Sequence, residues 1–116
     1  MSGLPAAVRI GAYWFPIRLV GADDLPERTA YGACYRSGKI EIRIRNDIAG
    51  ALLVDTLIHE IFHAIWWVDR LGDDDGEERI VNNTASFLTQ VLLDNPHVGA
   101  FIEATLAPLR LGPPES

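Results

Sequence analysis

Two histidines and a glutamate stand close together near the middle of the chain, at His59, Glu60 and His63. In a helix, residues four positions apart lie on one face, so both imidazoles can reach the same point, which suits a tetrahedral Zn²⁺ ion. Glu60 lies about 100° further around the helix. From there its carboxylate can take a proton from a metal-bound water that attacks a carbonyl group. The three residues therefore predict a zinc site with Glu60 as general base.

A partly buried helix that carries two histidines without binding a metal is the alternative interpretation. The apolar neighbours of the motif favour burial, and they are Leu57, Ile58, Ile61, Phe62, Ile65 and Trp66. A buried cluster of polar groups without partners is costly, however. Chance placement of the triple in this composition is about 0.5 %, so the sequence favours zinc binding.

A catalytic zinc needs a third protein ligand and an open fourth position. Glu78 is the best candidate because it opens the second predicted helix, which a short loop makes an antiparallel neighbour of the first. Asn82 follows on the same face, where its amide can orient a ligand by hydrogen bonding. Glu77 is the competing third ligand, although Val81 takes the place of such a partner for it. Either glutamate can instead belong to an acidic first turn that suits the helix dipole.

Three other places offer ligands and are less suited. Asp69 stands where the metzincin pattern has its last ligand, but Trp66 replaces the glycine that the pattern needs. If the first helix continues, Asp69 points away from the histidines. The acidic run 73–75 is typical of a solvated turn, and His97 beside Pro96 is typical of an exposed residue at a helix start.

Before the motif, the sequence predicts strands arranged in two hairpins. β-branched and aromatic residues at 8–10 and 13–20 flank a Gly-Ala turn. A second pair of segments, 30–35 and 39–45, flanks a turn that contains Ser-Gly. The two hairpins predict a small antiparallel β-sheet.

The segment 39–45 alternates strictly between apolar and charged residues, so its isoleucines face a core and its charges face water. If this strand lies at an edge of the sheet, the backbone at Ile42, Arg43 and Ile44 can pair with an extended peptide substrate. An ordinary strand protected by its charges is the alternative.

Three helices are predicted after the strands. The first follows a cap at Asn46 or Asp47 and ends near Gly72, which can adopt the positive φ of a helix end. The second covers 77–94, and the third covers 96–106 after the Asn-Pro stop. This order of elements predicts an α+β fold.

The bulk composition excludes several classes of protein. The 116 residues fit one domain, 1–116, with 111–116 as a loose tail. A net charge of −6 disfavours nucleic acid as a partner. We expect no membrane span and no signal peptide, because the apolar runs are too short and the start of the chain lacks the basic pattern. The single cysteine, Cys34, excludes an intrachain disulfide and fits a cytoplasmic protein.

Some residues outside the motif are candidates for secondary roles. Hydrolysis needs a donor that stabilises the transition state. The candidate donors, which the sequence does not rank, are Tyr31, Tyr35, Arg36 and His97. Trp66 and Trp67 are adjacent on the predicted helix and cannot both face the core, so one of them lines a cleft or a partner surface. Cys34 is expected to be a small core residue.

The first two helices together resemble a known zinc-peptidase pattern. His59-Glu60-x-x-His63 followed by Glu78-x-x-Val81-Asn82 is similar to the gluzincin pattern of thermolysin-like peptidases, H-E-x-x-H then E-x-x-A/S-D/N. The short linker and the hairpin before the motif also resemble small metallopeptidases of phages and prophages. The resemblance implies a minimal zincin-like core in which His59, His63 and Glu78 bind zinc and Glu60 is the base. Asn82 stands where relatives more often carry Asp.

The leading hypothesis is a zinc-dependent metallopeptidase that cleaves peptide or protein substrates. One alternative is a non-catalytic binding module that zinc stabilises, because 116 residues leave little mass for a deep cleft. The other is a partner-dependent subunit, in which another protein or a second copy completes or inhibits the site. The Trp66-Trp67 pair motivates that alternative.

Overall fold

The structure, a computed structural model, describes residues 3–36, 38–70 and 76–111, without the side chain of Val81. The strands are β1 (Ala7–Ile10), β2 (Tyr13–Val20), β3 (Gly32–Tyr35) and β4 (Glu41–Arg45). The helices are α1 (Gly50–Val68), α2 (Glu77–Asp94) and α3 (Pro96–Leu106). Strands precede helices, which confirms the predicted α+β fold.

The four strands form one mixed sheet in the order β1-β2-β4-β3. Both predicted hairpins are present, since β1 pairs antiparallel with β2 and β3 pairs antiparallel with β4. The prediction of an antiparallel sheet is nevertheless wrong where the hairpins meet, because β2 and β4 run parallel from Ile17↔Ile42 to Val20↔Arg45. Turn residues determine the pairing within a hairpin. They leave open which strands of two different hairpins become neighbours.

The interpretation of β4 as an edge strand is also wrong. β4 pairs with β2 on one side and with β3 on the other, so its backbone cannot take up a peptide at Ile42, Arg43 and Ile44. Ile42 and Ile44 face the core as predicted and have no exposed surface. The charged residues of β4, which the sequence analysis compared with the protective charges of an edge strand, lie on the outer face of the sheet. There Arg43 donates a hydrogen bond to Glu41, and its guanidinium lies over the ring of Tyr35. Alternation identifies a half-buried strand equally well at an edge and in the middle.

The core lies between one face of the sheet and the three helices. It consists of Val8, Ile10, Phe15, Ile17, Ile42, Ile44, Leu57, Ile61, Ala64, Ile65, Val91, Val98 and Phe101. By length and hydropathy α1 would also pass as a membrane span. Its Leu57, Ile61 and Ile65 pack in this core.

The helix bounds agree with the sequence for α2 and α3 and differ for α1. α1 begins at Gly50 with Ala49 as N-cap and no side-chain cap, so the predicted caps at Asn46 and Asp47 are wrong. Asp47 instead accepts a hydrogen bond from Arg45. The helix ends at Val68, and Arg70 takes the left-handed conformation with φ +54°. The predicted stop at Gly72, the acidic run 73–75 and the tail 112–116 lie outside the described residues.

Candidate metal centre

α1 brings the rings of His59 and His63 together on one exposed face. The two Nε2 atoms lie 3.1 Å apart. In a tetrahedral site with metal–nitrogen distances of about 2.0–2.1 Å, two ligand nitrogens lie roughly 3.3 Å apart, so the pair fits two corners of a zinc site. The same separation permits an N–H···N hydrogen bond when one ring is protonated at Nε2. Burial lowers the pKa of His63, assisted by His59 and Arg36, which favours the neutral ring that a metal needs.

Glu60 points from α1 toward the sheet rather than toward solvent. Its side chain is 5 % exposed. Burial raises the pKa of this carboxyl group, while the charges of His59 and Arg36 act in the opposite direction. No residue in the described ranges donates a hydrogen bond to it. A carboxylate that is partly desolvated and lacks a protein donor is suited to accept a proton from water or substrate.

Gly32 of β3 makes this position of Glu60 sterically feasible. A Cβ at residue 32 would lie 2.8 Å from Thr56 Cγ2, 3.0 Å from the Arg43 carbonyl oxygen and 3.2 Å from Glu60 Oε2. Only a residue without a side chain lets β3 approach α1 so closely. The glycine therefore places the outer edge of the sheet beside the carboxylate.

Two open clefts meet at His59. The larger, about 570 Å³, is lined by Arg36, His59, Phe62, His63 and Trp66, and we call it the arginine cleft. The smaller, about 340 Å³, lies between α1 and β3 and includes Tyr31, Gly32, Asp55, Thr56, His59 and Glu60. We call it the carboxylate cleft. An extended molecule that passes over His59 would occupy both.

The free edge of β3 forms one wall of the carboxylate cleft. Among the described residues β3 is the last strand of the sheet, with β4 as its neighbour. Arg45 N donates to Tyr31 O, and antiparallel bonding alternates along a strand. The backbone groups of Gly32 and Cys34 therefore point away from β4, toward the open side.

The structure does not bring Glu78 into a three-ligand group. Glu78 lies exposed in the first turn of α2, and its nearest polar partner is Asn82 Nδ2, 3.4 Å from Oε1. Among residues 3–36, 38–70 and 76–111, no three His, Cys, Asp or Glu side chains converge in a manner that could hold a metal. Glu78 as third ligand, with Asn82 behind it, stays a prediction, as does the choice between Glu78 and Glu77.

Two of the less suited candidate ligands, Asp69 and His97, have other partners. Asp69 accepts a hydrogen bond of 2.7 Å from Asn83 and so joins the end of α1 to α2. His97 is exposed and its Nε2 lies 2.9 Å from the carbonyl oxygen of Ala7, at the opposite edge of the sheet. Both observations agree with leaving these residues out of the metal site.

Two of the secondary candidates lie at the same cleft. Arg36 and Trp66 line the arginine cleft, whereas Trp67 packs edge-on against Tyr13 and Phe15. This confirms that one of the two adjacent tryptophans faces a cleft.

β3 contains one residue that the sequence analysis singled out, Cys34, and one that it did not, Gly32. Cys34 packs against the core, and burial raises the pKa of its thiol to about 12, which fits a structural residue. Gly32 was not singled out from the sequence. A glycine within a strand signals a close approach of another group, and this could have identified it.

Comparison with known proteins adds no assignment, since no family model, curated protein or solved structure matches the chain.

Proposed function

We propose that this protein is a zinc-dependent metallopeptidase. The observation that carries the proposal is the His59–His63 pair, whose Nε2 atoms lie 3.1 Å apart where two open clefts meet. The buried carboxylate of Glu60, which accepts no hydrogen bond from a described residue, lies beside this pair. A structural histidine pair would need neither the clefts nor the carboxylate.

The roles of the residues follow from their positions. His59 and His63 would hold the ion, and bound zinc would supply an acidic water and polarise a carbonyl group. Glu60 would accept the proton of that water and pass it to the leaving amine. The free edge of β3, rather than β4, would align an extended peptide through the outward groups of Gly32 and Cys34.

Metal binding and hydrolysis test separate parts of the proposal. We expect the purified chain to bind about one zinc per molecule, measured by elemental analysis after loading and dialysis. His59→Ala and His63→Ala should lose it. His97→Ala is the matched control, because this histidine contacts Ala7 at the far edge of the sheet, and it should bind zinc like the wild type.

Glu60→Gln separates the base from the ligands. It should retain zinc and lose roughly 10²- to 10⁴-fold in hydrolysis of a peptide library, as expected for a general base. If the wild-type protein binds less than half a mole of zinc per mole after loading, the proposed metal site is contradicted. Full hydrolysis by Glu60→Gln would contradict the proposed base.

The third ligand requires its own comparison. If Glu78 binds zinc, Glu78→Gln should weaken zinc affinity at least tenfold, while Glu77→Gln at the neighbouring position should leave it unchanged. The reverse result would assign the ligand to Glu77.

A partner-dependent subunit is the second candidate. It is favoured by the finding that two ligand groups, rather than three, converge in the described part of the chain. Another protein or a second copy would then supply the missing ligand. Zinc-dependent association in sedimentation experiments would support this candidate, and a zinc-loaded monomer with full activity would contradict it.

We also propose a cytoplasmic location. Cys34 is a free thiol and the chain has no second cysteine with which to form an intrachain disulfide. A reducing compartment fits this composition.

A further inference from the structure

Arg36 has no hydrogen-bonded or ion-paired partner in the part of the chain that the structure describes, although its charge acts on Glu60 and His63 from a longer distance. It follows β3 directly and lines the arginine cleft with His59, His63, Phe62 and Trp66. Neither a hydrogen bond nor an ion pair connects it to another described residue. Among the described residues nothing occupies the donors of its guanidinium, which can therefore reach a molecule in the cleft.

The other arginines of the sheet region differ in this respect. Arg18 and Arg43 pair with Glu41, Arg28 pairs with Asp23, and Arg45 pairs with Asp47. Arg9 donates to the carbonyl oxygen of Gly11. In a chain of net charge −6, carboxylates are abundant. A guanidinium that forms no ion pair with a carboxylate of the described residues, on the wall of the larger cleft, suits a ligand of opposite charge.

The walls beside Arg36 are apolar. Phe62 and Trp66 are 41 % and 36 % exposed, although both are large hydrophobic residues. Exposed aromatic side chains next to a cleft offer a surface for an apolar group. The arginine cleft thus combines one cation with two aromatic rings.

The carboxylate cleft has the opposite character. Asp55 and Glu60 line it on the other side of His59. A peptide that crosses His59 would thus meet negative charge on one side and positive charge on the other. This difference gives the bound molecule a preferred direction.

We propose that Arg36, Phe62 and Trp66 form a subsite for a carboxylate carried next to a bulky apolar group of the substrate. The carboxylate is either the free C-terminus of a peptide or the side chain of an acidic residue. The inference depends on the proposed function, because it names the substrate class of the same cleft. A terminal carboxylate would make the protein an enzyme that trims C-terminal residues.

A binding experiment tests the subsite without requiring hydrolysis. Acetyl-phenylalanine, its amide, and amidated acetyl-Phe-Asp are titrated into the full chain while NMR follows the indole N–H signal of Trp66. That signal is assigned with Trp66→Phe. We expect the acid to bind about five- to tenfold more tightly than the amide, as an exposed charge-assisted contact predicts. If amidated acetyl-Phe-Asp binds as tightly as the acid, the subsite also accepts a side-chain carboxylate, and otherwise it requires the terminal one.

Variants connect the preference to Arg36. Arg36→Gln should reduce the acid-to-amide ratio to about one, and Arg36→Lys should keep part of it, because lysine retains the charge without the planar fork. Arg28→Gln changes the net charge equally at an arginine paired with Asp23 outside the cleft. It should keep the ratio of the wild type.

The outcomes distinguish this inference from the proposed function. Equal binding of acid and amide by the wild type would overturn the subsite, as would a preference that survives in Arg36→Gln or disappears in Arg28→Gln. Hydrolysis of the peptide library is measured on the same samples. A preference for the acid without hydrolysis would contradict the proposed function alone, and hydrolysis without the preference would contradict the subsite alone.

Discussion

The two edge strands of the sheet have different surroundings. At β1, side chains of the helical half complete the hydrogen bonding of the backbone. Asn95 accepts from Arg9 N at 2.8 Å and donates to Arg9 O at 2.9 Å, and Gln90 accepts from Gly11 N at 2.8 Å. β3 has no such cover in the described part of the chain, and its open side faces Glu60.

The covered β1 edge serves the stability of the fold, whereas the open β3 edge is available to another molecule. An uncovered edge invites pairing with other chains, so proteins usually protect it. At β1 the side-chain amide of Asn95 bonds to the backbone as a neighbouring strand would. The structure describes no such cover for β3, which borders the carboxylate cleft at Gly32. We therefore expect changes at the β1 edge to affect stability, and changes at the β3 edge to affect both stability and activity.

The largest effect on stability is expected from Asn95→Leu. The side chain of Asn95 is fully buried, and its loss leaves the amide of Arg9 without a partner. We expect a loss of about 2–4 kcal/mol in the free energy of unfolding, measured with urea. Hydrolysis per folded molecule should be unchanged. Asn46→Leu, at an exposed asparagine, is the control, and an equal loss there would contradict this account.

Gly32→Ala tests the open edge. The added methyl group would lie 2.8 Å from Thr56 and 3.2 Å from Glu60. We expect a loss of about 1–3 kcal/mol from overpacking, together with reduced hydrolysis because Glu60 must move. Gly99→Ala is the matched control, since nothing lies within 4 Å of its added carbon. Normal activity of Gly32→Ala would show that the position of Glu60 does not depend on this contact.

A smaller effect is expected at His97. Its ring contributes one exposed hydrogen bond to the β1 edge, at Ala7 O. We expect His97→Ala to cost about 0.5–1.5 kcal/mol in urea unfolding. A loss of zinc in this variant would instead place His97 in the metal site.

The smallest effect is expected between the two edges, at the buried Glu41 of β4. The hydrogen bond from Arg43 holds the pKa of Glu41 below its usual value, although burial acts in the opposite direction. Because the folded state lowers this pKa, ionised Glu41 stabilises the fold above the usual value of a glutamate, and the contribution is lost as pH falls through the lowered pKa. Glu41→Gln should therefore make the free energy of unfolding less dependent on pH below the usual pKa of a glutamate, as urea unfolding at a series of pH values would measure. A profile identical to that of the wild type would contradict this origin.

The sequence predicts most of the elements and part of the site. Periodicity and the Asn-Pro stop define α2 and α3 at their observed bounds, and the glycine turns predict both hairpins. The i, i+4 spacing of His59 and His63 predicts their convergence, which the structure shows. These features depend on residues that are close in sequence.

What the sequence does not provide depends on contacts between distant segments. The parallel pairing of β2 with β4 decides which strand becomes the edge, and no local pattern encodes it. The same pairing moves the open edge from β4 to Gly32 and Cys34. It also places Arg36 beside the histidines, although 23 positions separate Arg36 from His59. The third ligand depends on how α2 is placed against α1, and so it stays a prediction.

The bond between Asn95 and Arg9 also has a consequence for how the chain folds during synthesis. The two residues are 86 positions apart. While the ribosome is still making α2, β1 can form its hairpin with β2, but its outer side has no partner. The outer side of β1 is completed only after Asn95 has emerged, so the β1–β2 hairpin stays without this cover while the segment between Arg9 and Asn95 is made. Domains generally fold as units, and here a residue made after α2 completes the first strand of the sheet.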